Sequence, residues 1–348
     1  MNETLKNSRF MKACRGEKVD ATPVWLMRQA GRYMKEYMAV REGRDFLDLC
    51  FQPELACEVT VTARNKLGVD AAILFADLLP ILIPMGFDLS YEKGEGPKIA
   101  NPIRQASEID RVIVHNPRET QTFVAEAVSM IRRELPSDIP LIGFAGAPFT
   151  LACYAIEGGG SRNYENAKGL MYRDPKAFHE LLTRIADNVI PYLQMQIDAG
   201  AQALQVFDSW VGCLDQEDYR THALPHTKRI IDAVKAYSPN TPIIHFGVGS
   251  ATIIDDMYSA GSDVIGVDWK TPIAETWERL GAKAVQGNLD PIVLFADQET
   301  LFRKTDAILD AVAGRSGHIF NLGHGILPKT PVENVIALVD YVHERSAR

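Results

Sequence analysis

Cysteine is scarce, with five in 348 residues at positions 14, 50, 57, 153 and 213 and no Cys-x-x-Cys pair. An odd, scattered set supports neither a disulfide framework nor a structural zinc site, so reduced thiols and no bound metal are expected. Long apolar runs are also missing. The best of them, residues 71–85, is broken by Asp77, Pro80 and Pro84 and falls short of the roughly 20 residues that a membrane-spanning helix needs. The opening MNETLKNSRFMKACRG has no apolar stretch after its charges and no small-residue cleavage pattern, so a cytoplasmic location is expected. Positive charge is not in excess: 37 Lys and Arg face 45 Asp and Glu, a net of −8. Such a balance disfavours nucleic acid or an anionic membrane as partner, and an anionic ligand would need a local basic site.

No Gly/Ser-rich or Pro-rich linker divides the chain, and one domain over residues 1–348 is expected. What is present is an alternation. Short apolar, β-branched runs occur at 23–27, 70–75, 140–145, 203–207, 242–246, 263–268, 284–288 and 318–322. They are near-continuously apolar, as strands buried on both faces of a parallel sheet are. Helical patterns read at 53–67, 119–135, 175–199, 216–236, 252–259, 272–280, 291–313 and 331–346. In the clearest, 175–199, Phe178, Leu181, Leu182, Ile185, Val189 and Leu193 share one face. Eight strands alternating with eight helices predict an α/β fold of the (β/α)8 TIM-barrel kind rather than an open doubly wound sheet.

Barrel chemistry sits where strands end, which makes the residues following each run the candidates. They are Arg28, Gln29 and Arg32; Asp77; Gly146, Pro148, Phe149 and then Tyr154; Asp208 and Ser209; Asp268; Asn288 and Asp290; Asn321 and His324. Residues 28–44 hold Arg28, Arg32, Lys35, Arg41 and Arg44 against Glu36 and Glu42, a local charge of +3. Arg28 and Arg32, at a strand end, suit bidentate binding of a carboxylate or phosphate, whereas Lys35, Arg41 and Arg44 read as helix-surface charges. Asp77 lies in an apolar stretch where a lone carboxylate needs donors. It either caps its own loop or faces a ligand's N–H groups or a developing positive charge. His324 stands between two glycines, which permits close ligand approach. Tyr154 and Ser209 are weaker signals, since a hydroxyl after a strand often serves its own loop. The run Gly158-Gly159-Gly160-Ser161 matches neither phosphate-binding glycine motif and reads as a mobile or tightly turning loop.

Two longer stretches go beyond generic chemistry. Trp25-Leu26-Met27-Arg28-Gln29-Ala30-Gly31-Arg32-Tyr33 resembles the first signature of the uroporphyrinogen decarboxylase family. Residues 143–150, Gly-Phe-Ala-Gly-Ala-Pro-Phe-Thr, continuing to Tyr154 and the 157–161 glycine run, resemble its second. Phe75-Ala76-Asp77, Phe207-Asp208-Ser209-Trp210 and Asn321-Leu322-Gly323-His324-Gly325 resemble further family motifs, in the expected order.

The resemblance implies a cofactor-free enzyme of haem biosynthesis that removes carbon dioxide from the four acetate side chains of uroporphyrinogen III, giving coproporphyrinogen III. It also implies a homodimeric barrel. Carried over, residues Arg28, Gln29, Ala30, Gly31 and Arg32 contact substrate carboxylates and Asp77 accepts the pyrrole N–H groups. Tyr154, Ser209 and His324 then touch substrate side chains and Phe46 lines the cleft. Asp77 and Arg28 are the implied catalytic pair. Arg28 is the proton donor placed by resemblance, although a guanidinium is a poor acid near neutrality and water or a substrate carboxyl are alternatives. Two other readings remain. One is a zinc-dependent corrinoid or thiol methyltransferase of the same superfamily, against which neither His245 nor His324 has a cysteine nearby. The other is a non-catalytic tetrapyrrole carrier.

Overall fold

The structure, a computed structural model, describes residues 2–92 and 96–348. Seven parallel strands form its main sheet in the order β1 (Ala72–Ile73), β4 (Leu141–Gly146), β5 (Ala203–Asp208), β6 (Ile243–Gly247), β7 (Val264–Gly266), β8 (Ala284–Gln286) and β9 (His318–Ile319). The remaining two, β2 (Leu89–Glu92) and β3 (Gly96–Ile99), make a separate antiparallel ribbon in the register Tyr91↔Pro97.

The sheet is curled. Gln286 on β8 donates its side-chain amide to that of Gln205 on β5 at 3.0 Å, although three strand spacings separate these strands in the sheet order, about 14 Å if it were flat. Trp25 extends this buried chain by donating Nε1 to Gln286 at 2.9 Å. Around it one apolar layer collects Ile142, Ala203, Ile244, Val264, Ala284 and Ile319 from successive strands, with Phe10 and Met11 of the N-terminal helix Arg9–Cys14.

The first sequence-predicted strand, 23–27, is not a strand of this sheet. Only Val24 forms a bridge, pairing in parallel with Phe320 while its carbonyl accepts the Asp70 N–H at 2.8 Å. Pro23 has no N–H to give a ladder, and at Arg28 the backbone turns into the left-handed region, φ +62°. The other seven strand expectations correspond to β1 and β4 to β9, several of them shortened.

Helices Pro53–Leu67 and Pro175–Ala199 have the predicted bounds. The expected 216–236 helix is interrupted by a π-helical turn, Tyr219–Ala223, before Leu224–Tyr237. The 291–313 pattern divides into a 3-10 turn, Pro291–Phe295, and the helix Gln298–Ala311, which Asp297 caps through the Thr300 N–H. Helix Pro148–Glu157 was not anticipated because eight of its ten residues are buried, leaving no polar face to reveal a period. Gly158 ends it at φ +82°, and its carbonyl accepts the Ile99 N–H at 2.8 Å. The glycine run is thus a tight cap joined to the β2–β3 ribbon.

Candidate active site

The strand ends and the ribbon enclose a cavity of about 1470 Å³, larger than the roughly 300–1,000 Å³ of ordinary small-molecule pockets. Arg28, Gln29, Ala30, Gly31, Arg32, Phe46, Asp77, Tyr154, Ser209 and His324 all line it.

The turn after Val24 is anchored before it reaches the cavity. The Met27 N–H goes to Asn321 Oδ1 at 3.1 Å, and the Met27 carbonyl accepts from Ile326 at 2.9 Å. Gly325 gives Arg28 its path: a Cβ there would lie 2.5 Å from Arg28 Cδ. Gln29 is present but fully engaged. Its side chain accepts from Leu26 N and donates to the Ala71 carbonyl, while its own carbonyl accepts from Tyr33 at 2.6 Å. It is a buttress, and the adjoining arginines are what the turn offers to a ligand.

Lys35 and Arg44 are exposed and Arg41 half-buried, in keeping with surface charges, and all three also line the cavity with Arg28 and Arg32. Lys35 and Arg41 ride on helix Lys35–Arg41, whose outward face is the cavity wall. Five acids, Glu42, Asp45, Asp48, Asp77 and Glu92, share the wall, but Asp48 is spent on the Asp45 N–H and Glu92 on Lys98. Among the described residues none of the five cations has a carboxylate within ion-pair distance, which leaves them available to an external one.

Asp77 serves its own loop and also holds a neighbouring hydroxyl. Its Oδ1 accepts the Leu79 N–H at 3.0 Å, a loop bond, and the Tyr91 hydroxyl at 2.6 Å. Oδ2 has no hydrogen-bond partner among the described residues. Burial pushes this carboxyl above the usual range, opposed first by the Tyr91 bond, then by the Leu79 N–H and by Arg28. Burial likewise lowers the His324 imidazole, helped by Arg28, which favours its neutral form. Its ring meets Trp269 edge-on at 6.0 Å.

Three aromatic residues near the ends of consecutive strands, Phe144, Phe207 and Phe246, line the cavity below these polar groups. Phe207 packs edge-on to both of the others, at 5.6 and 6.2 Å. Tyr154 lies against Trp210 at 3.7 Å. The aromatic wall of Phe144, Phe207 and Phe246 and the role of Tyr91 escaped the sequence reading, which had singled out Tyr154. A phenylalanine recurring near the ends of three successive runs was a usable signal for the aromatic wall; nothing local pointed to Tyr91.

Several strand-end polar residues stay outside the cavity because they hold loops. Asp208 is fully buried and accepts from Thr150 at 2.9 Å. Asp268 takes the Gly249 and Lys270 N–H groups and the Thr271 hydroxyl. Asn288 donates to the carbonyls of Asp268 and Thr271, and Asp290 caps the turn at Ile292.

The site can therefore hold a polyanionic, partly aromatic ligand with one half-buried carboxylate, Asp77, in its wall. Known proteins point the same way. The family model described as uroporphyrinogen decarboxylase (URO-D) matches residues 5–345. A uroporphyrinogen decarboxylase of Carboxydothermus hydrogenoformans is 52% identical over 98% of this chain and 97% of its own. One from a Roseiflexus species is 50% identical over 99% and 100%. Among solved structures, a methyltransferase from Methanosarcina mazei shares the fold at a TM-score of 0.80, with 19% identity over 97% of this chain and 99% of that one. With its full-length family match and relatives at half identity, the chain belongs to the uroporphyrinogen decarboxylase family.

Proposed function

We propose that this protein decarboxylates the four acetate side chains of uroporphyrinogen III to methyl groups, giving coproporphyrinogen III in porphyrin biosynthesis. The observation that carries the reading is Asp77, a half-buried carboxylate whose Oδ1 takes two donors, at a cavity lined by five cations that have no acid partner among the described residues. Arg28 and Arg32, with Lys35, Arg41 and Arg44, receive the acetates and propionates. Tyr154, Ser209, His324 and Phe46 contact the substrate's periphery, and Asp77 accepts the pyrrole N–H groups.

Each cycle begins when a pyrrole carbon gains a proton. The ring cation then takes the electron pair of the breaking C–C bond as carbon dioxide leaves, and a second proton converts the exocyclic methylene to methyl while the first is lost. The substrate supplies the electron sink that a cofactor supplies elsewhere. Asp77, fixed before reaction, stabilises that cation more than the neutral ground state, which is differential transition-state binding. Arg28 holds the substrate in place, and the protons come from Arg28 by family likeness, or from water or a substrate carboxyl.

In this reading the segment around Val24, though not itself a strand, stands in the place of an eighth strand of a single-domain (β/α)8 barrel, supported by its bonds to both flanking segments. A cytoplasmic homodimer accompanies the family likeness. The methyltransferase alternative is not favoured: the solved methyltransferase shares only the fold with this chain, and among the described residues no group of three or more metal-ligating side chains occurs.

The test is anaerobic incubation of metal-stripped protein with uroporphyrinogen III, the products being oxidised and separated by carboxyl count. Stepwise seven- to four-carboxyl porphyrins are expected, with turnover reduced about 100-fold or more in Asp77→Asn. Binding without loss of carbon dioxide would favour the carrier.

A further inference from the structure

We infer that Tyr91, which lies outside every motif quoted above, is a positioning residue whose hydroxyl fixes one oxygen of Asp77 and so presents the other to the substrate. The inference rests on the reading of Asp77 just given. The hydroxyl donates to Oδ1 at 2.6 Å, the length of a strong charge-assisted bond, and the Leu79 N–H occupies the same oxygen from within the loop. With both donors on Oδ1, the carboxylate plane cannot turn without losing one of them.

Tyr91 is itself well held. It is carried on β2, paired to Pro97 of β3, and its ring packs on Phe46 with centroids 4.9 Å apart. Tyr91, Pro97 and Phe46 all line the cavity. The ribbon thus has a chemical reason to stand against the strand ends, since it brings a donor to a carboxylate that the strands leave half-satisfied.

The electrostatics follow the geometry. The groups acting on Asp77 or responding to its charge are Arg28 from the turn after Val24, Cys50 from helix Phe46–Phe51, Tyr154 from helix Pro148–Glu157, Tyr192 from helix Pro175–Ala199 and Tyr91. Burial raises the Asp77 carboxyl, and the Tyr91 bond is the largest contribution opposing it. Burial and the adjacent carboxylate hold the Tyr91 phenol far above its ordinary range, so it remains a donor. Without that hydroxyl the ionised carboxylate loses stabilisation and protonates at a higher pH.

Tyr91→Phe keeps the ring contact and removes only the donor. In this variant the acid limb of kcat/KM should move upward by about one pH unit, with a loss of about threefold to tenfold on the plateau. The substrate's own carboxyls titrate in the same region. The second readout is therefore the titration of the Asp77 side-chain carbon by NMR in ligand-free, carboxyl-labelled protein, assigned by its absence in Asp77→Asn. An upward shift of both the carbon titration and the acid limb supports the inference. A carbon titration that stays in place, or an acid limb that fails to follow it, overturns it. An Asp77→Asn enzyme with full turnover would instead remove the reading on which the inference stands, which separates the two failures.

Discussion

Gly325 shows how much a missing side chain can decide. A methyl group there would lie 2.5 Å from Cδ and 2.8 Å from Cγ of Arg28, the stem of the side chain rather than its flexible end, so the guanidinium must move. Gly325→Ala is expected to lower kcat/KM by about 10- to 100-fold, because displacements near 1 Å have that cost in a preorganised site, with the thermal midpoint nearly unchanged. Steady-state kinetics beside a thermal melt checks this; a large drop in midpoint with proportionate activity would assign Gly325 to stability instead. Arg28, Arg32, Asp77 and His324 were legible as candidates because each directly follows an apolar run. Gln29 was legible as a position but not as a role, since only the folded chain brings the Ala71 carbonyl to its amide.

Among the elements, β9 carries a titratable group in an apolar setting. His318 donates Nε2–H to the Gly287 carbonyl at 2.9 Å, and burial lowers its imidazole to about 4. In the unfolded chain it protonates near 6.5, so the unfolded state binds the extra proton between these values. The stability contribution is complete above pH 6.5 and is lost as pH falls toward 4, by about 3 kcal/mol at most. Denaturant unfolding from pH 7 to 4 should show this slope, and His318→Gln should flatten part of it; an unchanged slope would place the acid sensitivity elsewhere, His226 being also lowered to about 4. Element type was legible wherever one face is polar, as in Pro175–Ala199. It was hidden in Pro148–Glu157, where burial on all sides erases the period, and in β2–β3, whose residues 89–92 and 96–99 include Pro97 and two glutamate or lysine charges.

For the molecule as a whole, Asp70 ties together segments from distant parts of the chain. Its Oδ1 accepts Arg9 Nη1, and its Oδ2 receives the Val24 N–H and His343 Nε2, each at 2.7 Å. The N-terminal helix, the Val24 segment and the C-terminal helix Val332–Ser346 therefore meet at one carboxylate with only 11% of its side chain exposed. Asp70→Ala leaves the Val24 N–H and the His343 imidazole without their acceptor and Arg9 with only Asp20, and should destabilise the fold by about 2–4 kcal/mol, read as a lower urea midpoint; a loss under about 1 kcal/mol would mean that the segments are held by packing alone. At the same scale, sedimentation equilibrium should return twice the 38.6 kDa chain mass if the proposed homodimer forms, and a single chain mass would end that proposal.

The alternation of buried strands with amphipathic helices is a local property of the chain, and so is the adjacency of Arg28, Asp77, Ser209 and His324 to strand ends. The sequence by itself therefore determined the α/β class, the end of the sheet that carries the site and the family. Which polar groups remain free was decided only in three dimensions. Asp268 looks like Asp77 along the chain, yet loop donors take both of its oxygens, and Asp208 is buried away from the cavity with Thr150 on one oxygen, whereas Asp77 lines the cavity. Tyr91 meets Asp77 across 14 residues and His343 meets Asp70 across 273. Hydrogen bonds depend on distance in space, and no pattern of neighbours along a chain encodes that distance before the strands have curled.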